Sequence, residues 1–212
     1  MNHIRKPVQN IYLLLIAVIF FAACSSSRHV ADGNWLLDKV NIEINDSTNK
    51  VAASELSTYI RQLPNHKMLW SMKFRLGVYN MSGSDTTKWY NRWIRKLGEP
   101  PVVYDSALMQ SSIEQLEKAM VNKGFLYATA SADTIRNDKK KKINVKYKID
   151  AGVQYKIDSI NYVFPDSVFR DIVMADSSRF IIRKGEPLDR SILETQRERI
   201  TTLLKNKGYY GL

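Results

Sequence analysis

The amino-acid sequence predicts an α+β fold built from two similar modules in tandem, the first with a helical insertion and the second incomplete. Three observations lead to this prediction. A helical segment with the same framing residues occurs twice, segments of alternating apolar and polar residues flank it, and the elements follow the order strand, helix, helix, strand, strand. The second module ends at Leu212, where its next strand should begin, so we expect this chain to be the front of a longer protein.

The repeated segment runs from 105 to 125 and again, without a gap, from 189 to 209. Each copy begins with an aspartate, which can accept hydrogen bonds from the free N–H groups of a first helical turn. Each copy ends in Asn-Lys-Gly-aromatic, where glycine suits a left-handed helix cap. Gly-Glu-Pro precedes both copies, at 98–100 and 185–187. Two unrelated amphipathic helices are the alternative, and the shared framing favours a repeat.

Residues 1–23 are typical of an export signal. The basic pair Arg5-Lys6 is followed by the apolar run 11–23, which is shorter than the ~20 residues that a membrane-spanning helix needs. The sequence Phe-Ala-Ala-Cys at 21–24 resembles a bacterial lipoprotein cleavage box, with phenylalanine in place of the usual leucine. Cys24, the only cysteine, is therefore predicted to carry the lipid. An uncleaved anchor with a chance cysteine is the alternative.

Alternation and helical spacing divide the remainder into a polar tether at 24–34, a first module at 35–152 with an insertion at 65–97, and a second module at 153–212. Alternation of apolar and polar residues predicts strands with one buried face, and apolar residues at helical spacing predict amphipathic helices. The predicted elements beside the repeated helix are a strand at 40–45, a helix at 53–63, strands at 126–133 and 143–150, a strand at 155–164 and a short helix at 167–174.

Aromatic residues are concentrated in the insertion. Trp89, Trp93 and Leu97 recur every fourth residue and so share one face of a helix, and Trp70 lies further upstream. Three explanations stay open for these residues. They form the core of an enlarged domain, they dock a partner or a neighbouring segment of the same protein through Trp70, Trp89 and Trp93, or they touch the membrane interface, where Trp and Tyr are favoured.

Composition excludes several kinds of protein. With 44% hydrophobic and 25% charged residues the chain can build a core, and its formal net charge of +11 suits acidic partners. One cysteine allows no internal disulfide, and the three histidines have no metal-ligand spacing. No catalytic serine motif or phosphate-binding glycine loop is present. We therefore predict no enzyme, no metal and no cofactor, and export argues against nucleic acid as a partner.

The strand and helix order, the Gly-Glu-Pro entry and the Asn-Lys-Gly-aromatic exit resemble POTRA domains. These are the periplasmic modules of the BamA/TamA (Omp85) superfamily of outer-membrane assembly factors. The runs Tyr-Asn-Met-Ser at 79–82 and Trp-Ile-Arg-Lys-Leu-Gly-Glu-Pro-Pro-Val at 93–102, behind a lipoprotein box, are similar to the TamA-like lipoprotein branch of Bacteroidota. The resemblance covers about residues 24–212. It does not include the membrane β-barrel of that family.

The resemblance implies an outer-membrane, lipid-anchored protein that faces the periplasm. Its expected partners are unfolded outer-membrane protein clients and accessory periplasmic or envelope-spanning assembly proteins. POTRA modules are thought to receive an extended peptide at a sheet edge by β-augmentation. A stand-alone lipid-anchored periplasmic binding lipoprotein without a barrel is the alternative function.

The candidate edge for such a peptide is the predicted strand 126–133. Its outward row is short and polar, so a backbone could approach it, and consists of Tyr127, Thr129, Ser131 and Asp133. Proline at position 129 is expected to weaken client capture. An edge that is only solvated, or covered by a neighbouring module, is the alternative.

Overall fold

The computed structural model describes residues 26–45, 51–67 and 73–210. The signal segment with Cys24, the predicted turn after Asn45, and Trp70 lie outside the described residues. Among the described elements, the strands are β1 (Leu36–Asn45), β2 (Thr129–Asn137) and β3 (Lys142–Asp150). The helices are α1 (Ala53–Leu56), α2 (Phe74–Met81), α3 (Trp89–Leu97), α4 (Ser106–Asn122), α5 (Ser167–Ala175) and α6 (Arg190–Asn206). This confirms the predicted α+β fold class.

The three strands form one sheet in the order β1-β3-β2. At one end the Leu36 N–H donates to the Lys141 carbonyl at 2.8 Å, and at the other the Ala151 N–H donates to the Asn45 carbonyl at 3.3 Å. The first residues of β1 and β3 thus lie side by side, as do their last residues, so β1 runs parallel to β3. A tight turn with Lys141 in the left-handed region (φ 47°) joins β2 to β3 as a hairpin. Consequently β1 and β2 are the two edges of the sheet.

Alternation along the strands sorts the side chains by face. The apolar residues of β3 are buried while their neighbours are more exposed, which is the pattern of a sheet with one face in a core. Helix α4 buries one stripe, as its spacing predicts. The buried side chains of these two elements are Ile143, Val145, Tyr147 and Ile149 in β3 and Ser112, Leu116, Ala119 and Met120 in α4.

The described residues divide into two compact units. The first contains 26–41, 61–67, 73–110 and 132–147, and the second contains 42–45, 51–60, 111–131 and 148–210. Each of the three strands contributes residues to both units. The module boundaries expected from the sequence, at 35–152 and 153–212, stay a prediction.

In the first unit, residues that follow the predicted lipid site are packed. Val30 is buried in a cluster with Leu36 and Leu76. The Arg28 guanidinium donates to the Asn80 carbonyl at 3.3 Å, and His29 Nε2 donates to the Ser82 carbonyl at 3.1 Å. The described part of the expected tether is thus held against the end of α2.

An ion pair holds β1 to the start of α2 within the same unit. Lys73 Nζ donates to both the carboxylate and the carbonyl of Asp38, each at 2.9 Å. Burial raises the pKa of Asp38, but the ammonium groups of Lys73 and Lys142 outweigh it and hold that pKa below its ordinary value. Burial also lowers the pKa of Lys73, and Asp38 offsets part of that effect. The pair therefore compensates two partly desolvated charges.

The insertion forms a pair of helices with a braced connection. Asn91 accepts the Gly83 N–H at 2.9 Å and donates to the Asp85 carbonyl at 2.7 Å. Arg95 donates to the Ser82 hydroxyl at 3.0 Å and to the Gly83 carbonyl at 2.8 Å. These side chains turn inward from α3 and close the loop between α2 and α3.

The two copies of the repeated helix have the same caps. Asp105 accepts the Ala107 N–H at 2.7 Å, and Asp189 accepts the Ser191 N–H at 2.8 Å. Both helices end at a glycine in the left-handed region, Gly124 at φ 89° and Gly208 at φ 95°. The aromatic residue after each glycine donates its N–H to a carbonyl five residues earlier, from Phe125 to Met120 at 3.0 Å and from Tyr209 to Leu204 at 3.1 Å. The predicted helix frames are confirmed.

The repeat extends to the segment that leads into each helix. In both copies two backbone hydrogen bonds join this segment to the start of the extended stretch that opens the module. In the first copy they run from Leu37 to Val102 and from Tyr104 to Trp35, each at 2.8 Å. In the second they run from Ile157 to Glu186 and from Leu188 to Tyr155, each at 2.9 Å. This shared bonding supports a tandem of like modules.

The predicted strand at 155–164 is wrong. Only Lys156 forms a β-bridge, with Pro187, and the stretch beyond Ile157 is not a strand. Alternating residues make a strand only where a second backbone pairs with them, and among the described residues 185–188 pair only with its first part.

Several predicted element boundaries are also wrong. Strand β1 begins at Leu36 rather than at 40, and β2 ends at Asn137 rather than at 133. Helix α1 ends at Leu56 and continues only as a short 3₁₀ turn, because the Ser57 hydroxyl donates to the Ser54 carbonyl (2.6 Å) and Thr58 Oγ1 to the Glu55 carbonyl (3.0 Å). Strand β2 begins at Thr129 rather than at 126, because the chain first turns after Phe125, whose carbonyl accepts the Ala128 N–H at 3.1 Å.

Candidate functional site

Strand β2 has a neighbour on one side only. In the sheet that the described residues form, β3 pairs with one side of β2, and the other side is an edge. An edge strand presents N–H and C=O groups that can template a further strand. The open side of β2 is therefore the first candidate for binding another chain.

A side chain shows which backbone groups face outward. The Ala130 N–H donates to Oε1 of Glu117, on α4, at 2.9 Å, and so does not point toward β3. Since alternate residues direct their N–H and C=O to the same side of a strand, Ala132, Thr134 and Arg136 follow Ala130 on the open side. Glu117 thus occupies the first donor of the edge.

Three of the four residues in the predicted outward row lie on β2, and the fourth, Tyr127, lies before it. Thr129, Ser131 and Asp133 lie on β2 with exposed side chains. Tyr127 lies in the turn before the strand; it is 79% exposed, and its ring centroid is 6.0 Å from that of Tyr155. Odd-numbered residues of β2 direct their backbone groups toward β3, so proline at 129 would remove a bond within the sheet rather than one on the open edge. Position 134 is the better probe.

A hollow of about 420 Å³ lies beside the start of β2, within the second unit. Its lining combines hydroxyl groups, an ammonium group and carboxylates with apolar surface, to which two isoleucines contribute. The lining residues are Glu43, Ile44, Asn45, Thr129, Ser131, Lys148, Ile149 and Asp150.

Trp89 and Trp93, the tryptophans of the insertion that the structure describes, are not core residues. Trp89 is 72% exposed, Trp93 59% and Leu97 50%, on one face of α3. The explanation that places these three side chains in an enlarged core is therefore wrong. Docking of a partner or of a neighbouring segment of the same protein, and contact with a membrane interface, are the explanations that stay open for this face.

Sequence reasoning missed Glu117. It is one acidic residue among the polar positions of an amphipathic helix, and its role depends on where β2 starts, 12 residues later. Across 26–45, 51–67 and 73–210, no group of three or more His, Cys, Asp or Glu side chains is placed to hold a metal ion. In the same residues, no helix has both the length and the apolar character needed to cross a membrane.

Comparison with known proteins gives one family and likenesses to solved structures. The family model for POTRA domains, described as surface antigen variable number repeat, matches residues 37–152, more than half of the chain. Among solved structures that resemble the chain is the crystal structure of Haemophilus influenzae BamA POTRA domains 3–5, with 16% sequence identity and a TM-score of 0.39. The match covers 83% of this chain and 57% of that one. No curated protein matches the chain.

Proposed function

Because this chain belongs to the POTRA family, we propose that it is the periplasmic POTRA region of an outer-membrane protein assembly or translocation factor. POTRA domains of Omp85 proteins are periplasmic, non-catalytic modules that bind polypeptides. The clients proposed for this chain are unfolded outer-membrane proteins, and accessory assembly proteins are its second class of partner. The observation that carries the proposal is the open edge of β2.

The edge supports binding by β-augmentation. Main-chain hydrogen bonds supply the affinity in this mode, so clients of many sequences can be accepted. The donors and acceptors for an incoming strand are those of Ala132, Thr134 and Arg136. Thr129 and Ser131 have short side chains at the start of this strand, which leave room for an approaching backbone.

Glu117 restricts the register of the incoming strand. Its carboxylate already satisfies the Ala130 N–H, and a charge-assisted hydrogen bond of this kind is stronger than one between neutral groups. A client would have to displace the carboxylate to pair with Ala130, so pairing from Ala132 onward is favoured. A strand shifted by one residue would meet the edge with its donors and acceptors misaligned.

We expect Thr134→Pro to weaken client binding about tenfold, since losing one main-chain hydrogen bond costs roughly 0.5–1.5 kcal/mol and the proline ring adds a clash. The exposed open side of an edge strand tolerates proline, so the fold should persist. The measurement is fluorescence anisotropy with a labelled peptide of about ten residues that has the alternating pattern of an outer-membrane strand.

Ser131→Ala is the matched control for this measurement. It changes a side chain beside the hollow and leaves the backbone of β2 intact, so peptide affinity should stay within about twofold, as for ordinary surface substitutions. Wild-type affinity in a folded Thr134→Pro chain would rule out augmentation at this edge. Equal losses in both variants would place binding in side-chain contacts instead.

A lipid anchor at Cys24 is the second part of the proposal, and it rests on the export signal at residues 1–23. Cys24 behind a lipoprotein box, together with the Gly-Glu-Pro-Pro-Val run at 98–102, supports a lipid-anchored protein of the TamA-like lipoprotein branch at the outer membrane, facing the periplasm. Metabolic labelling with palmitate should mark the wild-type chain and not Cys24→Ala. Label that persists in Cys24→Ala would contradict lipidation at this position, and Ser25→Ala is the matched control.

A further inference from the structure

Helix α3 presents an aromatic face to its surroundings. Trp89, Trp93 and Leu97 recur every fourth residue, and Tyr90, 43% exposed, lies beside them on the helix. Asn91 and Arg95 turn to the opposite side, where they brace the loop to α2. The exposed face is therefore a convex surface on a braced helix and not a groove.

The same face is bordered by basic residues. Lys88, Arg92 and Lys96 are exposed and spaced four apart, next to the aromatic stripe, and α3 contains no acidic residue. Of the nearest acidic groups along the chain, Asp85 accepts from the backbone and hydroxyl of Thr87 and lies 4.0 Å from the Lys88 ammonium group. Glu99 accepts from Asn65 at 2.9 Å, so Arg92 and Lys96 are the basic residues of the face that neither group pairs with. The surface is thus aromatic and cationic together.

The structure also holds this surface near the proposed anchor. Arg28 and His29 bond to the carbonyls of Asn80 and Ser82, at the end of α2, and α2 packs against α3. Arg28 lies four positions after Cys24, which allows at most about 14 Å of extended chain between them. A lipid on Cys24 would therefore keep the insertion close to the bilayer surface.

We propose that the exposed face of α3 lies on an anionic phospholipid surface. Trp89, Trp93 and Leu97 enter the headgroup region, where tryptophan is favoured. Arg92 and Lys96 contact lipid phosphates, as basic residues beside an apolar stripe do on interfacial helices. This goes beyond the proposed client binding, because it concerns how the chain is placed on its membrane.

The test is tryptophan quenching by brominated lipids, with the full chain reconstituted in phosphatidylcholine vesicles with and without phosphatidylglycerol. Two of the 4 tryptophans lie on this face, so the double variant Trp89→Phe/Trp93→Phe should lose about half or more of the quenching. Arg92→Glu/Lys96→Glu should remove the part that phosphatidylglycerol adds, and high salt should reduce that part in the wild type.

Trp35→Phe is the matched control. The Trp35 indole donates to Asp138 at 3.0 Å and lies under the Arg136 guanidinium, so its replacement should leave the quenching unchanged. Unchanged quenching in Trp89→Phe/Trp93→Phe would overturn the proposal, as would equal quenching with and without phosphatidylglycerol. If the tryptophans stay unquenched in vesicles and this face instead crosslinks to an envelope protein in cells, the occupant of the face is a protein and not a lipid. Peptide binding at β2 is measured separately, so its failure leaves this test intact.

Discussion

Replacing Phe125 with alanine is expected to lower the free energy of unfolding by about 3–5 kcal/mol. Phe125 is 0% exposed, and it follows the glycine that ends α4. Its removal leaves a cavity at the point where the chain turns from α4 toward β2, and the neighbouring backbone is fixed by the Phe125 N–H bond to Met120. Guanidinium denaturation followed by circular dichroism measures the loss.

The second copy of the repeat supplies the matched control. Tyr209 occupies the same place after Gly208, but it is only half-buried, against Phe169 at 4.8 Å between ring centroids. Tyr209→Ala should therefore cost about 1–2 kcal/mol, the range of ordinary substitutions. Equal losses at the two positions would mean that burial of Phe125 contributes less than the structure indicates.

The repeated helices could be predicted because their signals are local. An aspartate at the N-cap and a glycine at the left-handed position act through atoms within one turn, so their effect does not depend on the rest of the fold. The strands β1 and β3 were predictable for a related reason. Their apolar residues alternate along a segment that has a pairing partner, and the alternation then matches the buried face.

Pairing partners and competing hydrogen bonds explain what the sequence did not reveal. Residues 155–164 alternate as a strand does, but alternation does not supply a second backbone. The hydroxyls of Ser57 and Thr58 bond to carbonyls of α1, although the apolar spacing continued to Leu63. Both differences come from interactions that periodicity does not encode.

For the candidate edge, the sequence predicts which side chains share a face, but not which backbone N–H groups point to the open side. Polar alternation placed Thr129, Ser131 and Asp133 on one face of β2. Which residues offer N–H groups to a partner depends on the pairing with β3, and a shift of one residue reverses the answer. The Glu117 bond to Ala130 supplied that information. A long-range side-chain contact therefore decided which proline substitution tests binding.

The shared Gly-Glu-Pro tripeptide has different structural roles in its two copies. Gly98 has extended backbone (φ −82°, ψ −177°), and a Cβ there would lie 2.5 Å from the backbone nitrogen of Tyr79. Gly185 has φ 87°, and a Cβ there would meet nothing within 4 Å. Close approach of another backbone requires glycine at 98, whereas the left-handed conformation favours it at 185.

Gly98→Ala is therefore expected to destabilise the chain by about 3 kcal/mol or more, the upper range for overpacking, because the obstructing atoms are backbone and cannot rotate away. The added methyl would push α2 from the end of α3, where the Glu99 N–H donates to the Arg75 carbonyl at 3.0 Å. Denaturant unfolding followed by tryptophan fluorescence, which includes Trp89 and Trp93 on α3, measures the change.

Gly185→Ala separates the two roles of the tripeptide. It should cost about 1–2 kcal/mol, the price of a left-handed residue with a Cβ, and it leaves α2 and α3 untouched. The ratio of the two losses is the informative quantity, since both variants add the same methyl group to the same motif. If Gly98→Ala costs no more than Gly185→Ala, Tyr79 does not lie against Gly98, and the braced position of α3 on which its surface depends would have to be revised.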